Sequence, residues 1–88
     1  MMMTEKEIAF FAERIIDHNG VRNFANAMCE KLDRKRDEGK GGWNDPSQCS
    51  IDDLRSMLIE HVDKGDMVDI ANFAMMIWNR EKQLGAKK

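Results

Sequence analysis

The sequence predicts an all-α protein with four helices in a single domain that spans residues 1–88. Apolar residues recur at the spacing of a helix face along most of the chain, and no strand-length stretch alternates with a period of two. Residues typical of helix N-caps and C-caps lie at the ends of these apolar stripes. The length of 88 residues leaves room for one small domain.

The first half of the chain contains two predicted helices, at 5–19 and 22–38. Thr4 and Glu7 have the spacing of a capping box, in which each residue satisfies a free backbone N–H at the helix start. Gly20 follows the first apolar stripe, and glycine adopts the left-handed conformation of a helix C-terminus without steric cost. We therefore expect the first helix to end there and the second to begin directly after it.

The second half contains a loop at 39–49 and two further predicted helices, at 51–64 and 67–84. Glycines and the single proline make the loop a poor place for a helix. Ser50 begins a second capping-box pattern, and Gly65 ends the helix that follows. Because so short a connection joins the last two helices, we expect them to fold back as an antiparallel hairpin.

The last predicted helix is apolar nearly all round as far as Trp78, so it needs cover on most sides. A domain of this size is marginally stable alone and gains from association with a second copy. We therefore expect a homo-oligomer in which this helix contributes to the interface, although a central helix in a monomeric bundle is the alternative. The residues expected at the interface are Ile70, Phe73, Ala74, Ile77 and Trp78.

Charge and composition exclude several classes of protein. The chain has 14 Lys and Arg against 16 Asp and Glu, which excludes a uniformly basic nucleic-acid binder and a strongly acidic DNA mimic. Its longest apolar run, at 73–78, is too short to cross a membrane. Cys29 and Cys49 have the spacing of neither a zinc site nor a disulfide framework. We expect a cytoplasmic protein with reduced thiols.

Acidic residues gather around the junction of the last two helices, where a hairpin would bring them onto one face. Carboxylate oxygens in such a cluster suit Mg²⁺, but Asp66 could equally be a helix cap while its neighbours face solvent. Asn72 lies in an apolar stretch and needs a partner, which could be a carboxylate, a backbone group or a second subunit. The candidate metal ligands are Glu60, Asp63, Asp66 and Asp69.

A basic run followed by glycines and a tryptophan lies at the end of the second predicted helix. Five cations and an aromatic ring can hold the phosphates of a nucleotide and stack its base. The alternative is a solvated helix end, and we do not expect nucleic-acid binding because acidic residues interrupt the run. The candidate phosphate-binding or partner-binding residues are Lys31, Arg34, Lys35, Arg36, Lys40 and Trp43.

The order of the segments 24–32, 41–43 and 69–77 resembles the MazG-like branch of the all-α nucleoside triphosphate pyrophosphohydrolases, particularly the short versions carried by bacteriophages and prophages. The most specific of these segments is 69–77, which reads DIANFAMMI. The resemblance implies a helical oligomer that uses Mg²⁺ to hydrolyse the α–β phosphate linkage of nucleotides. It also implies that an E-E-x-x-E motif and an E-x-x-D motif hold the metal.

This chain departs from the family's metal-binding motifs. The resemblance places Glu60 on the first glutamate, but it places His61 and Lys64 on the second and third. Asp69 matches the aspartate of the second motif, whereas Asp66 is a shorter carboxylate than the expected glutamate. A lysine carries a positive charge and offers no lone pair at neutral pH, so it opposes a bound cation. We therefore expect the fold of the family without its usual catalysis.

These observations lead to two hypotheses about function. The first is a small phage-type binding or inhibitory protein without a cofactor, which acts in the bacterial host cytoplasm on a host protein or a nucleotide, with counter-defence as one such role. The alternative is a Mg²⁺-dependent pyrophosphohydrolase of (d)NTPs. In that alternative Glu60 and Asp69 carry the metal chemistry, and Lys31, Arg34 and Lys35 clamp the phosphates.

Overall fold

The computed structural model describes residues 2–86, with side chains as far as Gly85, and this part of the chain contains three α-helices and no strand. Helix α1 spans Glu5–Asp37, α2 spans Ile51–Lys64 and α3 spans Met67–Ala86. The all-α prediction is confirmed, whereas the prediction of four helices is wrong. None of these three helices has the length and apolar character that crossing a membrane requires.

Helix α1 runs without interruption through Gly20, where the sequence predicts a break. At its start, Thr4 Oγ1 accepts from the backbone N–H of Glu7 at 3.1 Å, and Glu7 Oε1 accepts from the backbone N–H of Thr4 at 3.2 Å. Gly20 does not adopt a positive φ and stays helical. A glycine inside a helix costs only about 1 kcal/mol, so the turns on either side can carry the helix through it. The predicted helices at 5–19 and 22–38 are therefore one helix.

The true end of α1 is at Gly39, which has a φ of 82°. The backbone N–H of Lys40 donates to Lys35 O, and that of Gly39 donates to Arg36 O, both at 2.9 Å. This is the hydrogen-bond pattern of a Schellman motif, which satisfies the last carbonyls of a helix and turns the chain away from its axis. The chain then enters the loop predicted at 39–49.

Helix α2 begins and ends where its capping residues predict, and α3 begins as predicted but ends at Ala86, two residues after the predicted end at 84. Ser50 accepts from the backbone N–H of Asp53 at 3.0 Å, and Gly65 ends α2 with a φ of 75°. Asp66 then starts α3, since its Oδ1 accepts from the backbone N–H of Asp69 at 3.1 Å. The boundaries predicted at the N-terminus of each helix match the structure, because a cap is a local interaction that the sequence shows directly.

Helices α2 and α3 pack together as an antiparallel hairpin, as predicted. Arg55, near the start of α2, pairs with Glu81, near the end of α3, at 2.7 Å. At the other end of the hairpin, His61 Nε2 lies 3.8 Å from Asp69 Oδ2. The second half of α1 packs against α3, and the small core lies within the hairpin, where Leu54 of α2 is fully buried and Met76 of α3 is nearly so.

The first half of α1 extends away from this core. Every residue at 2–24 is exposed, and the first partly covered residue is Ala25. The radius of gyration is 17.6 Å, whereas a compact chain of this length has a value of about 12 Å. The molecule is accordingly elongated, with extents of 57 × 34 × 25 Å. We call the exposed helical segment at 5–24 the N-terminal arm.

Candidate functional site

A cavity of about 380 Å³ lies between the second half of α1, the loop after it, and the α2–α3 hairpin. A volume of this size is within the range of small-molecule sites in proteins. Its walls are mainly apolar, and its rim carries lysine, histidine and aspartate side chains. The apolar side chains that line it are Leu32, Trp43, Leu54, Met57, Phe73 and Met76.

Three lysines line the cavity on the side formed by α1 and the loop. Lys31 and Lys35 are four residues apart and therefore share a helix face, and the Schellman turn brings Lys40 to the same side. Lys31 is the least exposed of the three, and its Nζ lies 3.4 Å from Asp69 Oδ1. Lys35 and Lys40 both lie close to Glu38, at 3.8 and 3.5 Å. Three lysines thus line the cavity, and each lies close to a carboxylate that offsets part of its charge.

The predicted phosphate-binding set divides into two groups. Lys31, Lys35, Lys40 and Trp43 line the cavity, as described above. Arg34 and Arg36 do not line it, because consecutive helical residues point about 100° apart and these two fall on other faces of α1. Arg36 instead pairs with Asp33 at 3.1 Å on the exposed surface.

Asn72 is a buried amide in the wall of the cavity. Its side chain is 4% exposed, and its Nδ2 donates to Met28 O at 3.2 Å, so a backbone group is its partner. Its Oδ1 is buried and has no hydrogen-bond partner among the described residues. Buried acceptors are nearly always paired, and an unpaired one costs about 1–3 kcal/mol. The fold thus carries a buried acceptor that is closed to solvent and has no partner among the described residues.

The predicted metal ligands do not form one cluster. Asp66 and Asp69 lie together, and both pair with Lys31, at 3.7 and 3.4 Å. Glu60 is exposed and pairs with Lys64 at 3.3 Å, and Asp63 is exposed on α2. Within the described residues, no three His, Cys, Asp or Glu side chains are grouped so that they could hold a metal ion. A magnesium site at the hairpin therefore stays a prediction.

Asp66 is held in its ionised form by its role as the cap of α3. The backbone N–H of Asp69 donates to its carboxylate, and this hydrogen bond is the main reason that the pKa of Asp66 lies below its usual value. The positive charge of Lys31 lowers the pKa of Asp66 further. Asp66 thus has the capping role considered in the sequence analysis, and it also helps to position Lys31 at the rim.

His61 is a site residue that the sequence analysis did not propose. Its Nδ1 lies 2.7 Å from Met57 O, and its ring packs on Phe73 with 4.8 Å between the ring centroids. The ring lines the cavity beside Asp69. The signal was present in the sequence, because Leu54, Met57 and His61 have the spacing of a single helix face.

Arg80 is a second residue that sequence reasoning missed. It is only 5% exposed, and its Nη1 donates to Trp43 O and Cys49 O, both at 2.7 Å. These hydrogen bonds tie the start and the end of the 43–49 segment to α3 and hold Trp43 at the cavity. The sequence does contain an indication of this role, because Arg80 comes four residues after Met76 and therefore interrupts an apolar face of α3.

Within the same segment, Asp45 organises a tight local turn. The hydroxyl and the backbone N–H of Ser47 both donate to Asp45 Oδ1, at 2.7 and 2.9 Å. These hydrogen bonds lower the pKa of Asp45 below its usual value. The turn and Arg80 together give the loop a defined shape around the cavity.

The five residues predicted at a subunit interface differ in exposure. Ile70, Phe73 and Ile77 are half-buried within the chain, whereas Ala74 and Trp78 are exposed. The ring of Trp78 is partly covered by the Lys82 ammonium, which lies 4.6 Å from its centroid. An interface on this face of α3 stays a prediction.

Comparisons with known proteins add no relative to this description. The chain matches no protein-family model, no curated protein and no solved structure. The resemblance to MazG-like proteins stays a prediction, and the function has to be argued from the cavity itself.

Proposed function

We propose that the protein is a binding module whose cavity holds a small anionic ligand with an aromatic part, of the nucleotide class. The observation that carries this proposal is a mainly apolar cavity lined by Trp43 and three lysines, with the buried amide of Asn72 in its wall. The Oδ1 atom of that amide has no hydrogen-bond partner among the described residues. Together they describe a ligand with an apolar body, a hydrogen-bond donor and a negative charge.

Each part of a nucleotide has a counterpart in the cavity. Trp43 and the neighbouring apolar walls offer a stacking surface for a base. An amino group of the base can donate to Asn72 Oδ1 once a small shift of the Asn72 side chain exposes that oxygen, and this hydrogen bond would relieve the cost of its burial. Lys31, Lys35 and Lys40 are positioned for charge-assisted hydrogen bonds to phosphate oxygens.

Binding without hydrolysis accounts for the carboxylates better than the pyrophosphohydrolase alternative does. Asp69, which the resemblance places on a family ligand, lies between Lys31 and His61 at 3.4 and 3.8 Å. Lysine next to a carboxylate competes with a divalent cation for the same oxygens. In the phage setting that the resemblance implies, such a module would act on a host by sequestering a nucleotide.

A titration followed by tryptophan fluorescence tests the proposal directly. Trp78 is exposed and does not line the cavity, so Trp78→Phe leaves Trp43 as the only tryptophan. We expect ATP or another nucleotide to change Trp43 fluorescence and to bind at least tenfold more tightly than adenosine or pyrophosphate alone. A tenfold difference corresponds to about 1.4 kcal/mol, which one charge-assisted hydrogen bond can supply.

The basic run offers a matched control for this titration. Lys35→Gln removes a cation at the rim, whereas Arg36→Gln removes one from the same helix turn that does not line the cavity. We expect the first variant to weaken nucleotide binding several-fold and the second to leave it unchanged. Equal effects of the two variants, or no binding by any nucleotide, would refute the proposal. Release of a nucleotide monophosphate in the presence of Mg²⁺ would favour the enzyme instead.

A further inference from the structure

The N-terminal arm at 5–24 carries an apolar stripe that its own chain cannot cover. Ile8, Phe11, Ile15 and Ile16 lie along one side of α1 and are between 45% and 69% exposed. The second half of α1 presents Met28 and Leu32 to the hairpin. At about 100° per residue, the helix face that carries these two residues points more than about 90° away from the stripe. Because α1 is continuous, the hairpin cannot reach both faces.

We propose that a second copy of this chain covers the stripe, by antiparallel pairing of the two N-terminal arms about a two-fold axis near Phe11 and Ala12. This proposal is independent of the ligand proposed for the cavity. A helix with an apolar face is stabilised mainly by packing of that face, and a segment of this length is marginal in water when nothing packs against it. The elongated shape of the single chain is consistent with a protein whose core is completed by association.

The charges beside the stripe favour an antiparallel pair. Glu7 lies along one edge of the stripe near its start, and Arg14 and His18 lie along the same edge seven and eleven residues later. In an antiparallel pair, Glu7 of one copy lies between the levels of Arg14 and His18 of the other copy. In a parallel pair this edge would face the opposite edge of the partner's stripe, so Glu7 would not meet Arg14 or His18.

The exposed apolar area is below that of a standard specific interface and fits a weak dimer. A side chain of this size exposes about 200 Å² when nothing covers it, so the four apolar residues of the stripe offer roughly 450 Å² from each copy. Two copies therefore bring about 900 Å² of apolar surface together before their charged edges are counted, close to the lower limit of about 1,200 Å² for specific interfaces. We expect a dimer that dissociates in the micromolar range.

Sedimentation equilibrium of the full chain over a range of concentrations tests the interface. We expect a monomer–dimer equilibrium whose dissociation constant rises at least tenfold in Ile15→Glu. Val21→Glu is the matched control, because Val21 is a similarly exposed apolar residue of the arm that lies on a different side of the helix. The control variant should dimerise like the unaltered chain, and both variants should keep the nucleotide affinity of the cavity.

Charge reversal tests the orientation. Glu7→Arg and Arg14→Glu should each weaken self-association, and a mixture of the two variants should form a heterodimer. A monomer at all concentrations up to about 100 μM, or equal dimerisation of Ile15→Glu and the unaltered chain, would overturn the proposal. Binding of the monomer to lipid vesicles that Ile15→Glu abolishes would overturn it too, and would assign the stripe to a membrane surface.

Discussion

Replacing Asn72 by leucine should separate the stability of this protein from its proposed binding function. The substitution keeps a side chain of similar size in the wall of the cavity and removes both polar atoms of the amide. The present amide makes one hydrogen bond, from Nδ2 to Met28 O at 3.2 Å, and leaves Oδ1 buried without a partner in the described structure. A residue that only packed against its neighbours would not leave a buried hydrogen-bond acceptor without a partner.

The expected magnitudes follow from these two atoms. Loss of the neutral hydrogen bond to Met28 O costs about 0.5–1.5 kcal/mol, whereas removal of the unpaired Oδ1 recovers about 1–3 kcal/mol. We expect Asn72→Leu to raise the free energy of unfolding by about 1 kcal/mol, which is a rise in Tm of about 4–8 °C for a domain of this size. The same change should weaken nucleotide binding about tenfold, because the acceptor for the base is gone.

Urea unfolding followed by circular dichroism measures the first effect, and calorimetric titration with a nucleotide measures the second. Asn79→Leu is the control: its Nδ2 donates to Met75 O at 2.9 Å within α3, and the residue does not line the cavity. This control should leave the affinity unchanged. A loss of 1 kcal/mol or more of stability in Asn72→Leu, or an affinity equal to that of the unaltered chain, would refute the reasoning.

Three further predictions concern the loop and the cap of α3. Gly42 has a φ of 85°, and a Cβ there would collide with the Gln48 side chain. Gly42→Ala should therefore lower the free energy of unfolding, measured in urea, by about 1–2 kcal/mol. The control Gly41→Ala, whose Cβ meets no neighbour, should change that free energy by less than about 0.5 kcal/mol. Arg80→Met removes two hydrogen bonds to loop carbonyls and should lower the free energy of unfolding by about 2 kcal/mol. In the Trp78→Phe background it should also shift the fluorescence of Trp43 to the red. An unshifted spectrum would contradict the role of Arg80 in positioning Trp43. Because the pKa of Asp66 is lower in the folded chain than its usual 3.8, its contribution to stability is complete above about pH 5 and is lost as the pH falls through that lowered pKa. Asp66→Asn keeps the cap and should make the loss of stability in acid shallower, which unfolding curves from pH 2 to 6 would measure.

The sequence predicted well those features that depend on a few neighbouring residues. The capping box at Thr4, the N-cap at Ser50 and the left-handed glycine at Gly65 appear in the structure where the sequence places them, although Ser50 and Asp53 form only one of the two hydrogen bonds of a capping box. The prediction at Gly20 was wrong because a glycine can end a helix or lie within one, at a difference of about 1 kcal/mol, and the surrounding chain decides between the two. The apolar residues before and after Gly20 lie on different sides of α1, and a single continuous helix is compatible with that change of side.

The site depended on contacts between residues that are far apart in the chain. The basic run was recognised as a candidate, but only the structure separates Lys31, Lys35 and Lys40 at the cavity from Arg34 and Arg36 outside it. Helical periodicity indicates which residues share a face, but not which face meets the cavity. Local patterns also did not show that Arg80 reaches the loop 31 and 37 residues earlier in the chain.

By itself, the sequence determined the helical class of this protein, the caps of its helices and the antiparallel hairpin, because each follows from interactions within a few residues. The tertiary structure alone decided that α1 is continuous, that three lysines and Trp43 line one cavity, and that Asn72 Oδ1 is buried with no partner among the described residues. The physical reason is that burial and hydrogen-bond satisfaction depend on which elements pack against each other, and many packings are compatible with the same local pattern.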